Sequence, residues 1–295
     1  MARVLILGCG DLGSRLGLRL VAEGHKVFGA RRSPQRLSSE IEGVPFDLDD
    51  AAPAASLPAD VDWLFWTGAP SGQSSEEAYR RTYVEGPRLA LDAYADRGAR
   101  PSVIVWSSST SVYGITDGST VDERTPANPP GFRGQAVLQG ERVAEQFARG
   151  IAGSRFHVVR FGGLYGEGRE YLINAVRRGS VALPQDGDGP WSNRMHIEDA
   201  AAALQVVAEA ASTRSQDFSK VLLGVDESAT RRGEVLRFLA DRLGVTLGTE
   251  DPAAPQAARG GDKRCVARGL RELGFRWRYP SYREGYGVLL DSLDE

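Results

Sequence analysis

The chain has 295 residues, 41% of them hydrophobic and 25% charged, and a formal net charge of −3. That composition suits a globular protein with one large core, or a core with a smaller companion lobe. No basic excess points to nucleic acid, and no acidic tail points to a basic partner.

Two cysteines, Cys9 and Cys265, are too few for a disulfide framework and lack the spacing of a metal site. Residues 4–7 form an apolar run far too short for a signal peptide or a membrane span. The alanine-rich stretch 200–211 carries Gln205 and Glu209, so it reads as a soluble helix rather than a span. No membrane contact is therefore expected, and a reducing cytoplasm is the expected compartment.

In chain order, short β-type runs at 4–7, 26–30, 44–46, 61–66, 102–107 and 156–160 alternate with helical patterns at 12–23, 34–42, 75–96 and 134–149. This rhythm predicts an α/β protein with a Rossmann-type, doubly wound parallel sheet. The strands carry few charges, as burial on both faces requires. Past residue 161 the rhythm loosens. Gly, Pro and Asp cluster at 184–190, a helix is expected at 198–211, a strand at 220–225 and a helix at 230–243, followed by a Gly/Pro/Ala-rich loop at 246–261. The expected division is a dinucleotide-binding domain over 1–165. A smaller substrate-binding lobe over 166–295 would return some strand and helix to the sheet.

Gly8-Cys9-Gly10-Asp11-Leu12-Gly13 is a G-x-G-x-x-G that follows a strand and opens a helix. Gly8 allows a tight turn, Gly10 lets a diphosphate approach the backbone, and Gly13 brings helix and strand close. The free N–H groups of Asp11, Leu12 and Gly13 favour negative charge. A glycine turn without a ligand is the plain alternative. At the end of the second strand, where an acidic residue would bind both ribose hydroxyls of NAD, the chain has Arg31-Arg32-Ser33. Guanidinium groups bind phosphate in a bidentate, permanently charged manner, so NADP is the expected cofactor and NAD the alternative. Asp47 is a candidate for the adenine amino group. Thr67, Gly68 and Ala69 supply small residues where the cofactor passes close to the chain.

Ser107-Ser108-Ser109-Thr110-Ser111-Val112-Tyr113-Gly114 resembles the extended short-chain dehydrogenase/reductase superfamily, and within it the NAD-dependent epimerase/dehydratase branch acting on nucleotide sugars. The resemblance continues through Asp122-Glu123-Arg124-Thr125-Pro126, then Val159 to Gly166, then Arg194-Met195-His196-Ile197-Glu198-Asp199, and reaches Leu273-Gly274-Phe275. The compact glycine loop is more like that of the atypical subgroups. The likeness implies that Ser109 hydrogen-bonds the substrate oxygen and that Ser107 lies against the cofactor. Arg160, Phe161, Gly162 and Gly163 would run along the nicotinamide. Tyr113, Tyr165, Asn193, Arg194 and His196 would face a small-molecule substrate. It also implies a homodimer through the helices at 75–96 and 134–149.

The chain departs from the family at the catalytic pair. Family enzymes carry Tyr-x-x-x-Lys, in which the lysine lowers the tyrosine pKa. Counting back from Glu141 places Arg133 at the tyrosine position and Val137 at the lysine position. Arginine cannot release its proton in this range, although Arg133 retains the chemistry to bind a phosphate or carboxylate. Two functions stay open: an oxidoreductase, epimerase or dehydratase of altered mechanism, or a non-catalytic NADP(H)-binding sensor or regulator.

Overall fold

The computed structural model describes residues 1–48, 56–70, 75–185, 187–213, 218–250 and 261–292. Seven parallel strands form the central sheet: β1 (Arg3–Leu7), β2 (Lys26–Arg31), β3 (Glu42–Pro45), β4 (Trp63–Trp66), β5 (Val103–Ser109), β7 (Arg155–Phe161) and β10 (Val221–Gly224). Their spatial order is β10-β7-β5-β4-β1-β2-β3, so the order reverses beside β1. In such sheets ligands bind at the carboxyl ends of the strands near that reversal.

Alternation along each strand builds two cores. Val4 and Ile6 of β1, with Phe65, Val105 and Val159, face one side. They meet Leu12, Leu16 and Leu20 of α1 (Asp11–Ala22) and the alanine face of α6 (Ile197–Thr213). Leu5 and Leu7, with Leu64, Trp66, Ile104 and Trp106, face the other side. They pack under Ala90, Leu91 and Tyr94 of α3 (Gly86–Asp96) and Val143 and Ala144 of α4 (Phe132–Arg149). A strand buried on both faces needs apolar residues at every position, which is why these runs are continuous.

Beyond the sheet, β6 (Thr120–Val121) pairs with β11 (Arg264–Cys265), and β8 (Gly163–Tyr165) pairs with β9 (Arg194–His196). A separate cluster joins Tyr165, Ile173, Leu236, Leu239, Tyr286 and Leu290. It holds together α5 (Tyr171–Arg177), α7 (Arg232–Leu243) and α9 (Tyr282–Asp291). The short α8 (Arg268–Glu272) packs on β10. Among the described residues no helix is long and apolar enough to cross a membrane.

Two expected helices differ. Residues 34–42 form only a 3₁₀ turn at Pro34–Arg36 before β3 begins. Leu37 and Ile41 have helical spacing, but they serve to cover glycines. A Cβ on Gly29 would lie 2.7 Å from Leu37 Cδ1, and one on Gly17 would lie 2.7 Å from Ile41 Cδ1. The helix expected over 75–96 begins on Ser75, whose Oγ accepts the Ala78 N–H at 3.2 Å. It then runs as α2 (Glu76–Arg80), a π-helical turn over Arg81–Glu85, and α3. Of the loop expected at 246–261, residues 251–260 lie outside the described residues.

Candidate functional site

Gly8 sits at φ +70°, and a Cβ there would lie 2.5 Å from Gly68 Cα. The loop after β1 and the loop after β4 are therefore in backbone contact. Thr67 reinforces this, donating from Oγ1 to the Gly8 carbonyl at 3.0 Å. A Cβ on Gly13 would meet the same Oγ1 at 2.5 Å, so α1 presses on β4 as well. Gly10 differs: a Cβ there meets nothing closer than the Gly8 carbonyl at 3.8 Å. Gly10 is the N-cap of α1, and no side chain caps the helix. Uncapped amides below open space are suited to hold a diphosphate.

Asp11 places a carboxylate at that helix start. Arg15 Nε donates to it at 2.8 Å and Arg169 Nε at 2.6 Å, and Arg15 also pairs with Glu198. Partial burial works to raise the Asp11 pKa, but the Arg169 and Arg15 guanidinium groups outweigh it and hold the carboxyl below its usual range. Its charge is thereby matched within the protein. The same contacts strap the segment after β8 and the start of α6 onto α1.

Cys9 N–H donates to the Ala30 carbonyl at 2.9 Å, which brings the end of β2 against the glycine loop. Arg31, Arg32 and Ser33 follow immediately, with Arg32 exposed. Phe46 N–H donates to the Arg31 carbonyl at 3.1 Å, so Asp47 leaves β3 beside them.

A groove at the carboxyl ends of the strands gathers Leu12, Thr67, Gly68, Ala69, Ser107, Ser109, Phe161 and Gly162 in one place. It also gathers Tyr83, Ser108, Leu164 and Arg169, which sequence reasoning did not single out. Periodicity gave no reason to separate Tyr83 from its helix, and Arg169 lies outside any motif. Another depression, lined by His25, Asp62, Trp63 and Glu209, lies by the amino ends of β1 and β4, away from the glycine loop.

Behind the groove is a buried polar network. Arg160 grips the Glu141 carboxylate with Nε at 2.9 Å and Nη2 at 2.7 Å, and its Nη1 donates to the Tyr113 hydroxyl at 2.9 Å. Ser108 donates its hydroxyl to the same carboxylate. Burial opposes the Arg160 charge, but Glu141 and Tyr113 stabilise it and raise its pKa. Burial raises the Tyr113 pKa despite the Arg160 charge beside it. Arg160 therefore bonds both Tyr113 and Glu141, and Arg160 and Tyr113 stand behind the groove rather than along it. Ser109 Oγ accepts the Ser111 N–H at 3.1 Å and keeps its own proton available to the groove. Val137 sits in the apolar cluster with Val112 and Tyr113. Arg133, in the first turn of α4, lies with its guanidinium 5.9 Å from the Tyr79 ring centre.

The motif around β8 and β9 packs toward the cluster that joins α5, α7 and α9. Gly163 pairs with Arg194 in the β8–β9 ladder, and Asn193 holds the chain near β11, donating to the Lys263 carbonyl and accepting from Cys265 N–H. Arg194 is buried and stands 5.7 Å from the Tyr286 ring. Tyr165 donates to the Ser281 carbonyl at 3.4 Å.

His196 is 4% exposed and lies between Tyr165 and Tyr279, its Nδ1 accepting the Glu198 N–H at 3.3 Å. Burial pushes the imidazole pKa down to about 4. An imidazole depressed in the folded state leaves stability intact above the unfolded pKa of about 6.5. Stability is lost as pH falls from there towards 4, because the unfolded chain takes the proton first. The expected result is a stability–pH slope over that window approaching one proton, flattened in His196→Gln. Urea midpoints measured across the window check it, and equal slopes in both proteins would show that His196 is not buried neutral.

The family model described as the NAD dependent epimerase/dehydratase family matches residues 4–219. Protein YeeZ of Escherichia coli (strain K12) is 28% identical over 291 residues, which cover 95% of this chain and 97% of that protein. Among solved structures, a protein from Methylobacillus flagellatus described as an NAD-dependent epimerase/dehydratase is 30% identical, with a TM-score of 0.79 and 100% and 99% of the two chains covered. MoeE5, solved in complex with UDP-glucose and NAD, is 28% identical with a TM-score of 0.77, covering 99% and 98%. On the glycine loop, the strand order and these matches, the chain belongs to the NAD-dependent epimerase/dehydratase family.

Proposed function

We propose that this protein binds NADP(H) in preference to NAD(H) and acts on a hydroxyl or carbonyl of a small, nucleotide-sugar-like molecule without the Tyr-x-x-x-Lys pair. The observation that carries the reading is the uncapped start of α1, with open space above Gly10 and Arg31-Arg32-Ser33 alongside. Amides of Asp11, Leu12 and Gly13 hold the diphosphate. Arg31, Arg32 and Ser33 hold a 2′-phosphate, and Asp47 lies at the adenine end. Thr67, Gly68, Ala69, Ser107, Phe161, Gly162 and Gly163 form the floor and wall for the remainder. When bound, the nicotinamide supplies or accepts a hydride.

Ser109 donates a hydrogen bond to the substrate oxygen. Arg133 offers a cation at the start of α4, where its Nε is buried without a hydrogen-bond partner among the described residues, a placement that suits a substrate phosphate. Tyr165, Asn193, Arg194 and His196 shape the substrate side through the packing of β8 and β9. MoeE5, with its bound UDP-glucose, makes a nucleoside diphosphate sugar the first class to test.

Calorimetry with NADPH and NADH tests the cofactor. The parent should bind NADPH at least about 10-fold more tightly, because each charge-assisted contact to the extra phosphate contributes about 1.5–3 kcal/mol. Arg31→Ala with Arg32→Ala should remove that difference and leave NADH affinity within about threefold. Equal affinities in the parent protein would sink the NADP assignment.

A second reading, a sensor that binds the dinucleotide without turnover, is favoured by the arginine and valine at the family's catalytic positions. It predicts the same binding and no NADPH consumption.

A further inference from the structure

The groove contains a phenol that no motif marks. Tyr83 lines it together with Ser107, Ser108 and Ser109 from the end of β5 and Arg169 from the segment after β8. It stands in the π-helical turn Arg81–Glu85, between α2 and α3. One extra residue in a helical turn shifts the direction of the side chains there, and such turns recur at functional sites. The turn is held in place from behind: a Cβ on Gly140 of α4 would lie 2.4 Å from the Tyr83 carbonyl oxygen, so only glycine lets α4 approach this closely. The Tyr83 ring packs against the cluster containing Val137, at the position where the family carries lysine. Its hydroxyl makes no hydrogen bond among the described residues.

Ser107 and Ser109 are aliphatic alcohols, far weaker acids than a phenol, so they can hydrogen-bond a substrate oxygen but do not give up their protons to it, and the remaining groups are committed or unsuitable. Ser108 gives its proton to Glu141. Arg169 cannot release one. Tyr113 is buried behind the groove against Arg160, and Tyr165 belongs to the cluster that joins α5, α7 and α9.

We infer that the Tyr83 hydroxyl is the proton donor to the substrate oxygen in this groove, in place of the phenol that α4 lacks; the inference rests on reading the groove as the site of hydride transfer. In the reducing direction the bound nicotinamide would supply a hydride to the substrate carbonyl carbon, and the carbonyl π pair would move onto oxygen. That oxygen takes the phenolic proton of Tyr83, and water then returns a proton to the phenolate. Ser109, which lines the same groove, hydrogen-bonds the same oxygen. An alkoxide is far more basic than a phenolate, so the transfer is downhill even for a phenol whose acidity is weakened. Burial, with Tyr79 nearby, raises the Tyr83 pKa, which keeps the proton in place at rest. Among the charged and titratable groups, Tyr79 on α2 stands against its ring, Arg169 lines the same groove, and Arg81 and Glu85 belong to its own turn.

The test is an ultraviolet titration of phenol ionisation with NADP⁺ or NADPH bound. An oxidised nicotinamide ring carries a positive charge and a reduced one does not. A phenol a few ångströms away should therefore ionise about one to two pH units lower with NADP⁺ than with NADPH. That shift should disappear in Tyr83→Phe and persist in Tyr79→Phe, while calorimetric NADPH affinity stays within about threefold of the parent in both.

A second arm uses UDP-glucose with NADP⁺ as the probe, which runs the step in reverse, so that by microscopic reversibility the Tyr83 phenolate accepts the proton of the hydroxyl being oxidised. Turnover should fall about 100-fold in Tyr83→Phe, with KM within about threefold. Where the parent does not turn over that probe, the titration decides alone. A ligand-linked phenol shift that survives in Tyr83→Phe, no shift at all, or unchanged turnover overturns the role of Tyr83 while dinucleotide binding stands. Absence of any dinucleotide binding removes both this inference and the reading beneath it.

Discussion

Glu141→Ala is expected to destabilise the protein by about 3–5 kcal/mol, a large share of the stability of a typical domain. Glu141 and Arg160 are each 6% exposed, and the carboxylate accepts three of the hydrogen bonds in the network behind the groove. Its removal leaves the Arg160 guanidinium buried and unmatched and takes the acceptor from Ser108. The loss comes mainly from that uncompensated charge, not from the pair's own attraction. Exchanging both partners for apolar residues, as in Glu141→Leu with Arg160→Met, should therefore recover most of the stability. Urea denaturation followed by tryptophan fluorescence reports it, since Trp66 and Trp106 stack in the core with ring centres 4.9 Å apart. A single variant within about 1 kcal/mol of the parent would mean that the network is not a closed, buried unit.

This network also marks where the sequence stops being informative. Arg160 lies in β7, a strand that was legible, and its expected place beside the nicotinamide came from family likeness. Glu141 entered only as a spacing mark for the missing lysine. Nothing local joins a residue of α4 to one of β7 nineteen positions away; the signal available was the cost of burying arginine, which demands a nearby carboxylate. The strands were legible because burial on both faces leaves a continuous apolar run, and the glycine loop because each glycine answers a different steric demand. The helix expected at 34–42 failed because Leu37 and Ile41 share helical spacing for another reason, covering Gly17 and Gly29. The π turn at Tyr83 was invisible because one inserted residue barely disturbs a 3.6-residue period. The short strands β6, β8, β9 and β11 have two or three residues each, too few for any period to show.

The glycine loop yields the sharpest separation of fold from function. In Gly10→Ala the new methyl meets no protein atom closer than 3.8 Å, so the fold should lose at most about 1 kcal/mol, the difference between glycine and alanine at an N-cap. The same methyl enters the space assigned to the diphosphate. Losing one or two charge-assisted hydrogen bonds there costs about 2–4 kcal/mol, and dinucleotide affinity should drop on the order of 100-fold. Gly8→Ala tests the opposite case. Its φ of +70° costs an L-residue about 1–2 kcal/mol, and its Cβ would lie 2.5 Å from Gly68 Cα, where backbone must move. Stability and dinucleotide binding should fall together in that variant. Calorimetry and thermal melting on both proteins distinguish the outcomes. If Gly10→Ala melts and binds like the parent, the diphosphate does not cross the start of α1, and the cofactor must be sought elsewhere along the carboxyl ends of the strands.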